Sequence, residues 1–479
     1  MPAVHRADTA TLRAELTAPK IIFFVIAAAS PLAAMIGLLP LAFIMGAGAA
    51  TPAMYLIAAA ILLCFSVGYA AMSRQITNAG GLYTYIAAGL GRPVAVAAGL
   101  IGLLAYNAFS VMLVAAFGYF CELVFSASGL HLPWQVFAGV AIVLTAWLGY
   151  RRIDLSARVL ALLVVAEIGV LLAIDAVFIH RHGLAAFPLA AFDVAQLPPG
   201  FLAVGLMFAF SSFLGFEAAA LYGEESRNPK RTVPLATYAS VIVIALFYGL
   251  TSWVAVGAIG PGQIRAEAAS QLGELYLHLV AHQIGQTAAD LLSVLLLTSL
   301  FATLLASHNS TNRLVFALGR ENVLPRALGR VHPVHGSPSY ASLMQSAINV
   351  VVIGAFALAG LEPYTTLSVS MTGLGTLGVV LMQAATAFAV IGYFHGRPDH
   401  HWWRTLIAPA LGGLGLTTAV VLIVANYAQL TGVDNPLINH LPWVLVAAAL
   451  GGIAHALWLR RKRPHVYAAI GTQPKTHEL

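Results

Sequence analysis

The chain has 479 residues, of which 60% are hydrophobic and only 9% charged, with a formal net charge of +6. Soluble proteins carry about 25% charged residues, so there are too few ions here to cover a water-facing surface. The positive balance does not make a nucleic-acid footprint either. The basic residues sit in short clusters between apolar runs, which is a membrane topology signal rather than a binding stripe. Cys64 and Cys121 both fall in apolar segments, so neither a disulfide framework nor a cysteine metal site is implied. The composition describes an all-α polytopic protein whose surroundings are a lipid bilayer.

The first twenty residues are polar and carry Arg6, Arg13 and Lys20. The small residues at 47–50 could mimic a cleavage site. The apolar run before them is too long for the core of a secretory signal, so it is expected to stay as a first span. A span needs about 20 mostly apolar residues. Twelve candidates follow in chain order, at 21–45, 54–72, 94–124, 134–149, 155–179, 201–222, 235–259, 287–311, 340–360, 364–393, 406–427 and 441–459. With the N-terminus inside, all of the 24 lysines and arginines except Arg181 and Arg265 fall in inside segments. That bias places both termini in the cytoplasm of a multi-pass cell membrane protein. Between spans, 73–93 suits a short helix at the membrane interface, 260–286 holds an outside helical stretch around Glu267 and His282, and 312–339 is basic and broken by prolines.

Chemistry is carried by the first and sixth spans. The first contains Ala28-Ala29-Ser30-Pro31, followed by Ala33 and Ala34. Proline lacks an N–H and clashes with the preceding turn, so the helix should kink or unwind near Ser30. Irregular backbone at membrane depth is tolerated where it lines a cavity or is enclosed by protein. The half-helix from Pro31 would then aim its amides at an anion, and the preceding carbonyls would favour a cation. A plain proline kink in a packed helix accounts for the same residues equally well. The sixth span carries Phe210-Ser211-Ser212-Phe213, then Gly215 and Glu217. A polar, glycine-bearing patch at mid-span, with a carboxylate just after it, repeats the interruption. The two interruptions open the first and second sets of five spans, the best sequence pointer to a transporter site. A carboxyl at membrane depth is a functional hypothesis by default, against the plainer reading of a structural bond to a neighbouring helix.

Gly215-Phe216-Glu217, Glu224-Glu225-Ser226-Arg227-Asn228-Pro229, the run Gly80-Gly81-Leu82-Tyr83, and Asn312-Arg313 with Gly319-Arg320-Glu321-Asn322 resemble the amino acid–polyamine–organocation superfamily of secondary transporters. The likeness covers the first ten spans. It implies a five-plus-five inverted-repeat fold of 12 transmembrane helices with discontinuous helices 1 and 6. Segment 1–20 is then a cytoplasmic lead. The transport core is 21–393, made of repeats 21–179 and 201–393. Helices 11 and 12 occupy 394–459, and 460–479 is a tail. The resemblance also implies alternating access around a site between spans one, three, six, eight and ten. In place of the usual glycine-rich break the first span has Ala29-Ser30-Pro31, and no tryptophan gate stands in span six, where Phe210 and Phe213 are the aromatics available to cap a ligand.

On this reading the substrate is an amino acid or related amine. Ala28 and Ala29 carbonyls face its ammonium, the Pro31 to Ala34 amides its carboxylate, and Ser211 and Ser212 add hydrogen bonds. Glu217 would gate or couple, and Glu167 in span five could take up a coupling proton. Tyr106, Asn107, Ser307, His308, Asn309, Thr372 and Thr376 could line the cavity, though each alone is more often interhelical glue. Asp175 and Asp290 sit near outer span ends and are expected to face water. Gly373-x-Gly375-x-x-Gly378 mimics a nucleotide fingerprint, but lies within a span and suits close helix packing. His278 and His282 lack the glutamate of a zinc motif, and no cofactor or metal is expected. The rival within the class is a polyamine or organic cation importer, with Glu217 and Glu167 as counter-charges. A membrane enzyme would need a nucleophile–base pair or metal cluster, and neither is seen; a sensor without flux is a third option.

Overall fold

A computed structural model describes residues 17–76, 81–151, 157–195, 197–220, 226 and 228–471. The N-terminal segment to Leu16, Gly80, the Glu224-Glu225 pair, Arg227 and the tail from Thr472 lie outside the described residues, as does the side chain of Ala28. Every regular element described is helical.

The first apolar run forms α1 (Ala18–Ala29), stops at Ser30, and resumes through a π-helical turn (Ala33–Leu38) into α2 (Leu39–Met45). Then come α3 (Thr51–Ser73), α4 (Gly81–Leu90), α5 (Arg92–Ala127), α6 (Trp134–Arg151) and α7 (Ala157–His182). The second set opens on α8 (Pro199–Ser212), which passes through a turn into a 3-10 segment (Phe216–Ala220). It continues with α9 (Pro229–Ile259), α10 (Ile264–Gln271), α11 (Leu275–Gln283), α12 (Gln286–Arg320) and α13 (Ser339–Leu358). A second π-helical turn (Pro363–Ser368) leads into α14 (Val369–Phe394), and a third (Trp402–Ile407) into α15 (Ala408–Ala425). The short α16 (Tyr427–Thr431) and α17 (Pro436–Asn439) precede α18 (Pro442–Lys462) and α19 (Pro464–Ala469). Proline stands in the first turn of α3, α5, α8, α9 and α18, where its missing N–H is harmless and its φ already helical.

Nine helical stretches among the described residues are long and apolar enough to cross a membrane. They coincide with expected spans two, three, five and seven to twelve. Expected span four is α6, 18 residues long. Expected spans one and six are each divided. The most apolar window of Pro363–Phe394 is 78% buried, against 28% for Ser339–Leu358 and for Pro442–Lys462. Helix α14 is therefore central, while α13 and α18 are peripheral. α14 packs on α5, and glycine sets how closely: a Cβ at Gly375 would lie 2.8 Å from the Phe109 ring, and one at Gly378 2.7 Å from Ala105 Cβ. The glycine run of span ten thus serves helix approach.

Two loop expectations gain detail. The short helix expected within 73–93 is α4, whose Gly81 to Ile86 are buried against α5 and α14. Its Tyr85 ring meets Tyr69 edge-on at 5.2 Å, and aromatic faces of this kind are drawn into the bundle. The stretch around Glu267 and His282 is two helices, α10 and α11, separated by a short 3-10 turn (Leu272–Glu274).

Candidate functional site

Helix α1 ends where Ser30 adopts a left-handed conformation, φ +47°, and Pro31 offers no N–H. A non-glycine residue in that region is uncommon and concentrates at functional sites. The Ser30 hydroxyl is held from α12, 2.9 Å from Ser299 Oγ and 2.6 Å from Thr303 Oγ1. The backbone groups released by the break find partners within the protein. Tyr248 Oη donates to the Ala29 carbonyl at 3.1 Å. The Leu32 N–H donates to Glu167 Oε2 at 3.3 Å, and the Ala34 N–H to the Ser30 carbonyl at 3.0 Å.

The second break follows α8. Phe213 to Gly215 form a turn with Gly215 at φ +104°, a conformation open to glycine. The Glu217 carboxylate folds back and accepts the Gly215 N–H at 3.1 Å. Tyr69 Oη donates to the Glu217 carbonyl at 2.7 Å. Ser212 Oγ donates to the Phe208 carbonyl at 3.0 Å and lies 3.4 Å from Tyr55 Oη. Ser211 Oγ is buried and has no protein partner. The two broken helices are brought together where α2 ends: a Cβ on Gly46 would lie 3.0 Å from Gly205 Cα of α8.

Between the breaks lies a cavity of about 180 Å³. From the first break it takes Ala29, Ser30, Ala33, Ala34, Gly37 and Leu38, and from the second Ser211, Ser212, Leu214, Gly215 and Glu217. Helix α5 contributes Tyr106, Phe109, Met112, Leu113 and Ala116; α12 contributes Leu300, Thr303, Ala306, Ser307 and Ser310; the turn before α14 adds Tyr364 and Ser368. These are the spans one, three, six, eight and ten named by the resemblance. Tyr364 Oη donates to the Gly37 carbonyl at 2.8 Å and its ring stacks on Tyr119 at 4.6 Å. It closes the end of the cavity beside the two π-helical turns. Glu217 is the one carboxyl among the described lining residues, and no lysine, arginine or histidine joins it there.

Of the substrate residues expected from sequence, Ala29, Ser30, Ala33, Ala34, Tyr106, Ser211, Ser212 and Gly215 line this cavity. Pro31, Phe210 and Phe213 do not; all three are buried in the packing of their own segments. Ala28 belongs to the last turn of α1. Glu167 stands behind the first break, bonded to its backbone rather than facing the cavity. Two of the amides expected to cradle an anion already have partners, Leu32 N–H on Glu167 Oε2 and Ala34 N–H on the Ser30 carbonyl, and Pro31 has no N–H to offer. Ser307 lines the cavity, whereas His308 turns away and pairs through Nε2 with Ser342 Oγ at 2.9 Å. Asn107 bonds its own helix, as Nδ2 donates to the Leu103 carbonyl at 2.7 Å, and Thr372 does likewise through the Ser368 carbonyl. Thr376 is buried off the cavity. Asp290 is exposed, but Asp175 does not face water: it is 3% exposed and accepts Thr251 Oγ1 at 2.7 Å. Met112, Leu113, Ala116 and Leu300 were not legible as site residues, since an apolar residue in an apolar helix carries no signal.

The sequence pattern described as amino acid permease matches residues 18–451. A branched-chain amino acid permease of Bacillus subtilis is 25% identical over 83% of this chain and 83% of its own length. A branched-chain amino acid permease of Lactococcus lactis is 24% identical over 63% of this chain and 67% of its own. An uncharacterized amino acid permease of Bacillus subtilis is 26% identical over 61% and 68%. A family match over nearly the whole chain, with divided first and sixth spans around one cavity, identifies a transporter rather than an enzyme, and the chain belongs to the amino acid permease family of the amino acid–polyamine–organocation superfamily.

Proposed function

We propose that the protein carries a branched aliphatic amino acid across the cell membrane by alternating access, with both termini cytoplasmic and twelve crossings arranged as two inverted sets of five plus two. The observation that carries this reading is the cavity itself. Its volume of about 180 Å³ compares with the roughly 150 Å³ apolar hole that holds a benzene molecule, so it suits a compact side chain. Phe109, Met112, Leu113, Ala116 and Leu300 supply an apolar wall, and Ser211, Ser212 and the helix breaks supply polar ends for a zwitterion. The relatives named for branched-chain amino acids point the same way.

Proton coupling follows from who occupies the backbone amides. Glu167 accepts the Leu32 N–H and Glu217 the Gly215 N–H. A substrate carboxylate that approaches either break competes for those donors and repels a charged side chain there. Protonation of the side chain removes both obstacles, so substrate and proton bind cooperatively. Glu167 is the coupling group in this scheme and Glu217 the residue that yields its amide to the ligand. A polyamine would instead use Glu217 directly as counter-charge, since it is the single carboxyl in the lining.

The test is a thermal-shift screen of amino acids and amines on purified protein, followed by uptake into proteoliposomes. A ligand that binds the native state raises its apparent stability. Leucine, isoleucine and valine should raise the Tm and accumulate under an inward proton gradient. Stabilisation by spermidine or putrescine but by no zwitterion would overturn the proposal in favour of a cation importer.

A further inference from the structure

Arg181 and Arg265 are the cations that the proposed topology leaves outside. Arg181 is exposed, whereas Arg265, in the first turn of α10, is half-buried. The outer half of the first span ends with α2, and the last carbonyls of a helix have no partner within it. Arg265 supplies one. Its Nη1 donates to the Ile44 carbonyl, and its Nη2 to the Gly46 carbonyl at 2.8 Å. A cation is also favoured at a helix C-terminus. The guanidinium carbon lies 4.2 Å from the centre of the Phe201 ring, in the first turn of α8. Gly48 makes the room: its φ is +58°, and a Cβ there would lie 3.1 Å from Arg265 Nη2. One side chain of α10 thus grips the outer halves of both divided spans. The half-helix of the first span is pinned again about 10 Å further in, at 1.5 Å per residue, where Tyr364 Oη donates to the Gly37 carbonyl. The turn after α10 rests on α5. A Cβ on Gly273 would lie 2.6 Å from the ring of Tyr119, which stacks on Tyr364.

We propose, resting on the alternating-access reading and its topology, that Arg265 is the positioning residue that latches the outer entrance. While its guanidinium holds the Ile44 and Gly46 carbonyls the cavity is shut from outside, and substrate enters once it lets go. Ala33, Ala34, Gly37 and Leu38 of the gripped half-helix form one wall of the cavity. The entrance therefore opens when that wall parts from Tyr364 and from α10, and Arg265 makes the outermost of the bonds that must break. Water at this end of the helix can take over the released carbonyls, so the latch is reversible. Arginine suits this task better than lysine. Its planar fork reaches two carbonyls while its face lies on an aromatic ring, which a compact ammonium cannot match. All three partners, Ile44, Gly46 and Phe201, belong to the divided spans. The grip thus changes whenever the site changes the side to which it opens. A hydrogen bond to a charged group is worth about tenfold in an equilibrium, so loss of the grip raises the outward-open population by at least about that factor.

The experiment uses the full chain in intact cells, with Cys64→Ala, Cys121→Ala and a reporter thiol, Leu38→Cys, on the wall that moves. A membrane-impermeant maleimide is added outside, with and without leucine. Arg265→Gln should speed labelling of the reporter about tenfold, Arg265→Lys should fall between it and the parent, and saturating leucine should slow labelling in each. Leucine uptake with Leu38 restored separates a latch from damage to the fold. A larger outward-open fraction raises the apparent leucine affinity from outside by up to the same factor, and maximal uptake falls because closing is disfavoured. Protein that has merely lost structure loses affinity and rate together. Phe201→Leu removes the stacking face and leaves the carbonyl bonds, so it should speed labelling about threefold. It keeps the question answerable should Arg265→Gln fail to fold. Labelling at the parental rate in Arg265→Gln or Phe201→Leu, with leucine protection intact, overturns the latch and leaves the permease reading standing. A parental reporter that leucine does not protect overturns the placement of the substrate, and with it the permease reading.

Discussion

Ser211 gives the sharpest test of where the ligand sits. Its hydroxyl is buried, lines the cavity and has no partner in the protein, whereas the neighbouring Ser212 hydroxyl already bonds the Phe208 carbonyl. A hydrogen bond to a charged ligand group contributes about 1.5 kcal/mol, or roughly tenfold in Kd. Ser211→Ala should therefore weaken leucine binding about tenfold while the ligand-free Tm stays level or rises, because a buried unsatisfied hydroxyl has been removed. Ser212→Ala should lower the ligand-free Tm, since it removes that bond and leaves the buried Tyr55 hydroxyl without a partner. Titration calorimetry with leucine and a thermal melt of each variant measure both quantities. Unchanged leucine affinity in Ser211→Ala, together with a lower Tm, would show that the hydroxyl serves the fold, and the placement of the zwitterion at the second break would be wrong.

Gly375→Ala should shrink the pocket from behind. The added Cβ would lie 2.8 Å from the Phe109 ring, overpacking of this kind costs about 1–3 kcal/mol, and the ring is pushed toward the ligand; uptake competition should show leucine and isoleucine losing affinity before alanine. Glu217→Gln keeps an oxygen to accept the Gly215 N–H but removes the only carboxylate of the lining, so leucine binding should persist within a few-fold, and loss confined to spermidine would favour the cation reading. Beyond the membrane, Glu321 accepts Tyr83 Oη at 2.7 Å and the Gly471 N–H at 3.3 Å. Burial holds its carboxyl above the usual carboxylate range. A raised folded value means that the docked C-terminal segment is favoured below the ordinary glutamate value of about 4.3 and loses that share as pH climbs through the folded value. Hydrogen exchange over 464–471 should accelerate with pH through that window, and Glu321→Gln should flatten the dependence.

What could be read from residues alone divides by range. Pro31 and Gly215 announce the two breaks locally, because a missing donor and a free φ act within one turn, and the span pattern follows from composition. The rotation of each span does not. Helix α8 is apolar on every side up to Phe210, so nothing in its sequence says that Ser211, and Leu214 and Gly215 in the turn after it, face the cavity while Phe210 and Phe213 pack elsewhere. Asp175 was misplaced for a related reason. Its distance from the end of its span suggests water, but α9, far later in the chain, packs on α7 and donates Thr251 Oγ1 to it. Glu167 reads in the sequence as a group that takes up a coupling proton, and its partner in the structure is the Leu32 amide. That pairing is a physical consequence of the break. Once a helix loses its own hydrogen bonds inside a bilayer, the nearest acceptor must replace them, and a carboxylate is the strongest that a neighbouring helix can offer. Under the proposed coupling, the side chain that caps the first break is the one a carboxylate substrate would have to displace, so the ligand-free and loaded states would differ by its charge. A permease working in that way would need no separate ion site, because the cap on its broken helix would itself be the switch.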